Sequence, residues 1–260
     1  MKVVLFCGGL GMRMREYSES VPKPLVPIGY RPIIWHLMKY YAHYGHKDFI
    51  LCLGYRAAAI KQYFLNYDEC VSNDFVYSQG GKKLELLASD IQDWNITFVD
   101  TGLHSNIGQR LSAVRKFVAG EETFLANYTD GLSDLPLPDL IEDFGRNGRI
   151  AEFVGVKPTA SFHLVRLNSG GNVVTDICHV AESGHRINGG FFVFRQAIFD
   201  YMKNGEELVR EPFQRLIAEH QLVAYPYDGF WASMDTVKEV EQLEKLYSQG
   251  RAPWEVWKTI

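Results

Sequence analysis

Val3-Val4-Leu5-Phe6-Cys7-Gly8-Gly9-Leu10-Gly11-Met12-Arg13 is the stretch on which the fold turns. An unbroken apolar run suits a strand buried on both faces, since a half-exposed strand would alternate with polar residues. The glycines that follow let backbone N–H groups approach an anion, because no Cβ stands in the way. Arg13 can add a planar donor fork to the same anion. By itself the loop reads equally well as a tight turn with a surface arginine. Two common phosphate loops do not fit. There is no Gly-Lys-Ser/Thr. A dinucleotide loop needs a third glycine where Met14 stands and an acid where Gly54-Tyr55 stands.

Working outward, strand and helix signals alternate. Ile34, Leu37, Met38 and Tyr41 recur at helical spacing after Pro32. Phe49 to Leu53, Ile96 to Val99, Phe124 to Tyr128 and Ala151 to Val156 read as further strands. Arg56 to Leu65, Ile107 to Val118 and Leu137 to Phe144 read as helices. Such alternation predicts an α/β fold with a mostly parallel sheet covered on both faces. Phe75 to Leu87, centred on Gly80-Gly81, reads as an inserted hairpin. Later, Ser161 to Asn168, Val173 to Val180 and Ile187 to Arg195 read as strands. Glu211 to His220 and Val237 to Tyr247 read as helices, with strand-like Leu222 to Tyr225 between them. No flexible linker interrupts the chain, which predicts a single domain over residues 1–260. Its nucleotide-type half would be 1–135. Residues 136–260 would form a smaller mixed β/α half.

The chain has 260 residues, 47% of them apolar and 22% charged, a globular balance that argues against disorder. With 27 basic and 31 acidic side chains the net charge is −4, so no overall positive field exists to hold nucleic acid or an acidic membrane. No apolar run approaches the ~20 residues of a membrane span. Cys7, Cys52, Cys70 and Cys178 form no CxxC pair and read as reduced thiols of a cytoplasmic protein. His43 and His46 have metal-like spacing but read as solvated. Trp35, Trp94, Tyr40, Tyr41 and Tyr44 read as core or subunit-contact aromatics.

In an open α/β sheet, ligands gather beyond the carboxyl ends of the strands. That directs attention to residues 8–13, 100–110, 129–131 and 188–190. It also gives weight to Val21-Pro22-Lys23-Pro24-Leu25, where a lysine between two prolines sits on a stiff, extended backbone and can be aimed. Arg13 and Lys23 within one loop would suit a triphosphate.

Gly-Gly-x-Gly-x-Arg after the first strand, followed by Pro-Lys-Pro-Leu, resembles the sugar-1-phosphate nucleotidyltransferases, and most of all their glucose-1-phosphate cytidylyltransferase branch. Pro32 to His36, Trp94 to Gly102, Ile187 to Phe192, Gly229 to Trp231, Met234 to Thr236 and Ala252 to Trp254 extend the resemblance over almost the whole chain. The resemblance implies a Rossmann-like nucleotidyltransferase fold and a Mg2+-dependent reaction of CTP with a phosphate monoester, giving a CDP-linked product and pyrophosphate. Arg13 and Lys23 would be catalytic. Gly8, Gly9, Gly11, Met12, Gly108, Arg110 and Asp130 would join them in binding the nucleotide. Asp130 and Asp235 would hold the metal. His179, Asn188, Gly189 and Gly190 would bind the acceptor. A homo-oligomer is implied as well, with the tail tryptophans, Trp254 and Trp257, as an interface segment.

The chain departs from the family pattern in several places. Thr129 precedes Asp130 where the family has glycine, and Val21 replaces a lysine. Cys178-His179-Val180 stands where the family has Glu-Lys-Pro, whose lysine holds the acceptor phosphate. His185 or Arg186 could substitute for it. Phe162-His163 replaces Phe-Gly. These last two departures touch the acceptor half and leave the nucleotide half nearly intact. Three readings stay open: a cytidylyltransferase of a hexose 1-phosphate, one with another acceptor such as a phosphonate, and a non-catalytic nucleotide binder.

Overall fold

The structure is a computed structural model and describes residues 1–9, 21–159 and 162–258. Gly11, Met12 and Arg13 lie outside the described residues, as does Ser161.

Strand β1 (Val3–Phe6) opens the chain. A ribbon of β2 (Pro27–Ile28) and β3 (Arg31–Pro32) leads into α1 (Ile33–His43), β4 (Asp48–Leu53) and α2 (Ala57–Leu65). The hairpin β5 (Phe75–Ser78) and β6 (Lys83–Leu86) follows, then β7 (Asn95–Asp100), α3 (Ile107–Val118) and β8 (Thr123–Tyr128). Next come β9 (Gly131–Ser133), α4 (Leu137–Asn147) and β10 (Ala151–Val156). A second hairpin, β11 (His163–Leu167) and β12 (Val174–His179), precedes β13 (Ile187–Asn188) and β14 (Phe192–Arg195). The chain continues with α5 (Glu211–Ala218), β15 (Leu222–Tyr227), β16 (Trp231–Ser233) and α6 (Val237–Ser248).

One eight-stranded sheet organises the molecule in the order β13-β10-β14-β8-β1-β4-β7, with β15 pairing along β10. The β7, β4, β1 and β8 strands are mutually parallel, and β10 and β15 are parallel to each other. Only β14 and β13 run against their neighbours. Strand β14 carries the second half of the chain straight into the sheet of the first.

The sequence of β1 explains its place. Val3, Leu5 and Cys7 point to one core, Val4 and Phe6 to the other, and all are buried. The first core takes buried residues of α1, α2, α4 and α6, among them Ile34, Ile60, Leu140 and Leu243. The second takes Leu111, Val114 and Val118 of α3 and Phe213 and Leu216 of α5. Trp35, Trp94, Tyr40 and Tyr41 are buried.

Three expectations need correction. Ile187 to Arg195 is two strands, because Gly190 (φ 77°) and Phe191 (φ 50°) turn left-handed between them. Lys23 does not lie on extended backbone. It opens a single 3-10 turn, Lys23–Leu25, closed by Leu25 N–H to Pro22 O (2.7 Å) and Val26 N–H to Lys23 O (3.1 Å). Trp254 is fully buried within its own chain, where its indole donates to His36 Nδ1 (3.3 Å) and its ring packs against Phe230. A large apolar ring is satisfied by the nearest core it can reach.

Candidate active site

The chain leaves β1 for β4 and β7 on one side and returns to β8 on the other, so strand order reverses around β1. Crevices at such reversals are where ligands bind in open α/β sheets. The segments after β1 and β8 meet here. Thr129 is buried and its hydroxyl donates to Phe6 O at the end of β1 (3.0 Å). The side chain that departs from the family pattern thus fastens two strand ends together.

Asp130 follows immediately. Strand β9 pairs antiparallel with β16, setting Gly131 opposite Ser233. Met234 N–H then donates to Asp130 O (2.7 Å), which brings Asp235 alongside Asp130. Asp235 sits just before α6, whose start is fixed by a capping box. Thr236 Oγ1 accepts from Glu239 N–H (3.3 Å), and Glu239 Oε2 accepts from the N–H groups of Thr236 (2.8 Å) and Asp235 (2.7 Å). The cap therefore holds the backbone of a site residue as well as the helix.

Lys23 completes the cluster. Its Nζ lies 2.6 Å from Asp130 Oδ2 and 2.7 Å from Asp235 Oδ1. Burial alone would lower its pKa; the two carboxylates outweigh that, and the net shift is upward. Three residues from distant parts of the chain converge on one point. Two carboxylates that already share a cation form an all-oxygen donor set, which fits a hard divalent ion.

Beyond the ends of β1 and β7, Gly8 and Gly9 border a cavity of about 280 Å³ together with Leu103, His104, Asn106 and Arg110. Arg110 is buried at its wall. Its Nη1 donates to Leu53 O (3.1 Å), Thr101 Oγ1 (2.7 Å) and Gly102 O (3.1 Å), and its Nη2 to Gly8 O (3.0 Å). One guanidinium thus ties together the ends of β1, β4 and β7. A Cβ on Gly8 would fall 2.1 Å from Arg110 Cζ, and one on Gly54 2.7 Å from Nη1. Gly54 stands where a dinucleotide fold would place its acid, and here it is the gap that admits the arginine. Gly108 is a packing glycine, since a Cβ there would meet Glu206 O at 2.2 Å. Helix α3 opens on a second capping box between Asn106 and Gln109.

Asn188-Gly189-Gly190 is tied to the strands that carry Asn127 and Trp231. Trp231 Nε1 donates to Gly189 O (2.9 Å), and Asn127 Oδ1 accepts from Phe191 N–H (3.0 Å). His179 lies at the base of the β11–β12 hairpin, where its Nδ1 accepts from Ala181 N–H (3.2 Å). It faces His163 across the strands with ring centroids 5.4 Å apart. Arg186 spends its donors on Gly155 O, Tyr227 O and Asp228.

Glu239 was not singled out from the sequence, and Thr101, Thr129, Gly54 and Trp231 were named there without the contacts they make here. Glu239 had a legible signal, the Thr-x-x-Glu spacing of a capping box. The others act through backbone contacts that no local spacing records.

The family described as Nucleotidyl transferase matches residues 2–249. A glucose-1-phosphate cytidylyltransferase of Salmonella typhimurium is 37% identical over 258 residues, covering 99% of this chain and 100% of the relative. A mannose-1-phosphate guanyltransferase of Saccharomyces cerevisiae is 25% identical over 270 residues, covering 97% of this chain and 66% of its own length. Among solved structures, HddC from Yersinia pseudotuberculosis complexed with GMP-PN superposes with a TM-score of 0.66 at 17% identity, covering 95% of this chain and 99% of its own. UDP-glucose pyrophosphorylase complexed with UDP-glucose gives 0.69 at 14% identity, over 96% and 99%. These structures share the fold. The family match, which takes in Lys23, Asp130 and Asp235, leads to one conclusion: the chain belongs to the nucleotidyl transferase family and is an enzyme of that class.

Proposed function

We propose that the protein transfers CMP from CTP to a sugar 1-phosphate, with glucose 1-phosphate as acceptor, releasing pyrophosphate in a Mg2+-dependent in-line displacement. An acceptor phosphate oxygen forms a bond to the α-phosphorus of CTP, and the bond from that phosphorus to the pyrophosphate oxygen breaks. Both partners are anionic, so the protein's task is positioning and charge neutralisation. The observation that carries this reading is the convergence of Lys23, Asp130 and Asp235 at the strand-order reversal. The identity to the Salmonella cytidylyltransferase supplies the nucleotide and the acceptor.

In this reading Lys23 and Arg13 neutralise phosphate oxygens, and Gly8 and Gly9 offer backbone N–H groups. Asp130 and Asp235 hold Mg2+, which when bound screens the phosphate charge. The cavity bordered by Gly8, Gly9 and Arg110 takes the nucleoside end, with the Gly108 segment at the helix start behind it. Asn188, Gly189, Gly190 and His179 face the acceptor. Residues 1–135 thus supply the nucleotide side and 136–260 the acceptor side. A homo-oligomer in the cytoplasm fits the exposed apolar side chains of the two hairpins, such as Tyr77, Val165 and Ile177, and the buried free thiols Cys7 and Cys52.

A second reading rests on the facing pair His163 and His179. Two imidazoles at the acceptor side favour an acceptor other than glucose 1-phosphate. Pyrophosphate release over a panel of sugar phosphates and phosphonates, with CTP and UTP run side by side, tests both. Turnover of CTP with glucose 1-phosphate is expected. Turnover of another acceptor alone selects the second reading, and CTP binding without any turnover rejects both.

A further inference from the structure

The Lys23 ammonium fills the point where the Asp130 and Asp235 carboxylates converge, at 2.6 and 2.7 Å. Both contacts are charge-assisted hydrogen bonds of full strength. A divalent ion bound between the same two oxygens would need the same space, and it would repel the ammonium besides. We propose that Lys23 is a place-holder for the divalent ion: in the nucleotide-free protein it keeps the metal out, and nucleotide phosphates release the site by giving the ammonium another anionic partner. The inference rests on the reading of Asp130 and Asp235 as metal ligands.

The charges favour this arrangement. Two facing carboxylates without a cation would repel one another. With Lys23 between them the trio carries one net negative charge instead of two, so its pull on a dication is weaker. An entering ion must also break two short hydrogen bonds. The geometry makes the release simple. Pro22 and Pro24 fix the backbone on both sides of Lys23 in its 3-10 turn, while the four-carbon side chain keeps rotatable bonds of its own. The ammonium can leave the carboxylates without any movement of the main chain. Metal and nucleotide then enter together, and the metal alone binds poorly.

Manganese is the probe. The loss of the free Mn2+ signal in electron paramagnetic resonance measures binding to the full chain without nucleotide, for the wild type and Lys23→Met; with CTP, equilibrium dialysis against the same Mn2+ and CTP without protein separates the protein-bound ion from the ion held by CTP alone. Without nucleotide, Lys23→Met is expected to bind Mn2+ at least about tenfold more tightly than the wild type. With CTP the wild type binds Mn2+ tightly, and Asp130→Asn does not. Equal or weaker binding by Lys23→Met without nucleotide overturns the place-holder, while CTP-dependent binding that is lost in Asp130→Asn keeps the metal assignment standing. If Asp130→Asn binds Mn2+ like the wild type with CTP present, the metal assignment falls and takes the inference with it. Circular dichroism checks the fold, and Lys23→Gln carries the same test if the methionine variant unfolds. A crystal of the wild type with Mn2+ and CTP reads the displacement directly. Lys23 Nζ is expected more than about 4 Å from both carboxylates, beyond ion-pair range. An ammonium still seated between them, with the ion elsewhere, overturns the proposal.

Discussion

With Lys23 replaced by alanine, the carboxylates of Asp130 and Asp235 lose the ammonium that lies between them. Donors aimed at developing negative charge are worth about 3–4 kcal/mol in transition-state stability. Lys23→Ala should therefore lower kcat by roughly 100- to 1,000-fold, as steady-state pyrophosphate release would measure. Near-normal turnover would mean that the ammonium does not serve the reaction. Asp130→Asn and Asp235→Asn should each abolish metal-dependent turnover while leaving far-UV circular dichroism unchanged, because both side chains end at the site and neither supports a core. Full activity in either variant would remove that residue from the proposed metal site.

Among the elements, the joint between β16 and α6 fixes Asp235 in place. Glu239 caps the helix and accepts from the Asp235 backbone as well. Glu239→Ala should cost about 1 kcal/mol in stability, as lost caps do, and about tenfold or more in Mn2+ affinity measured with CTP, as lost supports of metal ligands do. Glu239→Gln keeps a carbonyl acceptor and should restore much of both. Equal affinity in the alanine variant would show that Asp235 is held by other contacts. This joint also marks where legibility ends. The long elements declared themselves: the apolar run of β1, the helical spacing of α1, the Gly-Gly hairpin. Strands β9 and β16 are three residues each, too short to show a period, and they are what sets Asp130 beside Asp235. The break at Gly190 and Phe191 did carry a mark, the Gly189-Gly190 pair, but apolar residues resume at once after it and make the segment read as one strand. The Thr-x-x-Glu cap before Asp235's helix and the Asn-x-x-Gln cap at Asn106 were site-building contacts that local spacing could reveal.

Across the whole molecule, two buried groups lean on pH in opposite directions. Glu152 is fully buried on β10 and its pKa is raised to about 7. Burial is the main cause; the Asn147 amide opposes it and Asp143 adds to it. The unfolded chain gives up this proton near 4.5, so stability falls as pH rises from there to about 7 and stays lower above it. Glu152→Gln should leave stability unchanged at low pH and raise it by roughly 2–3 kcal/mol at alkaline pH. Denaturant melts across the range would show the difference growing to neutrality and then levelling off; a flat difference would mean that Glu152 is charged in the fold. His36 acts the other way. Burial depresses its pKa to about 4, and its neutral ring donates from Nε2 to Ile28 O while accepting from Trp254 at Nδ1. Its contribution is complete above 6.5 and is lost as pH falls toward 4. In Glu152→Gln this acid-side loss should stand out, because the opposing slope is gone.

The guanidinium held between Gly8 and Gly54 has a consequence for anyone redesigning the protein. Positions 8, 54 and 110 are coupled: a methyl at either glycine meets the guanidinium while the arginine stays, and trimming the arginine removes those contacts, although a methyl at 54 still lies 3.0 Å from Gly102 O. Libraries that vary these sites singly will find dead ends, whereas those that vary the trio jointly can walk through.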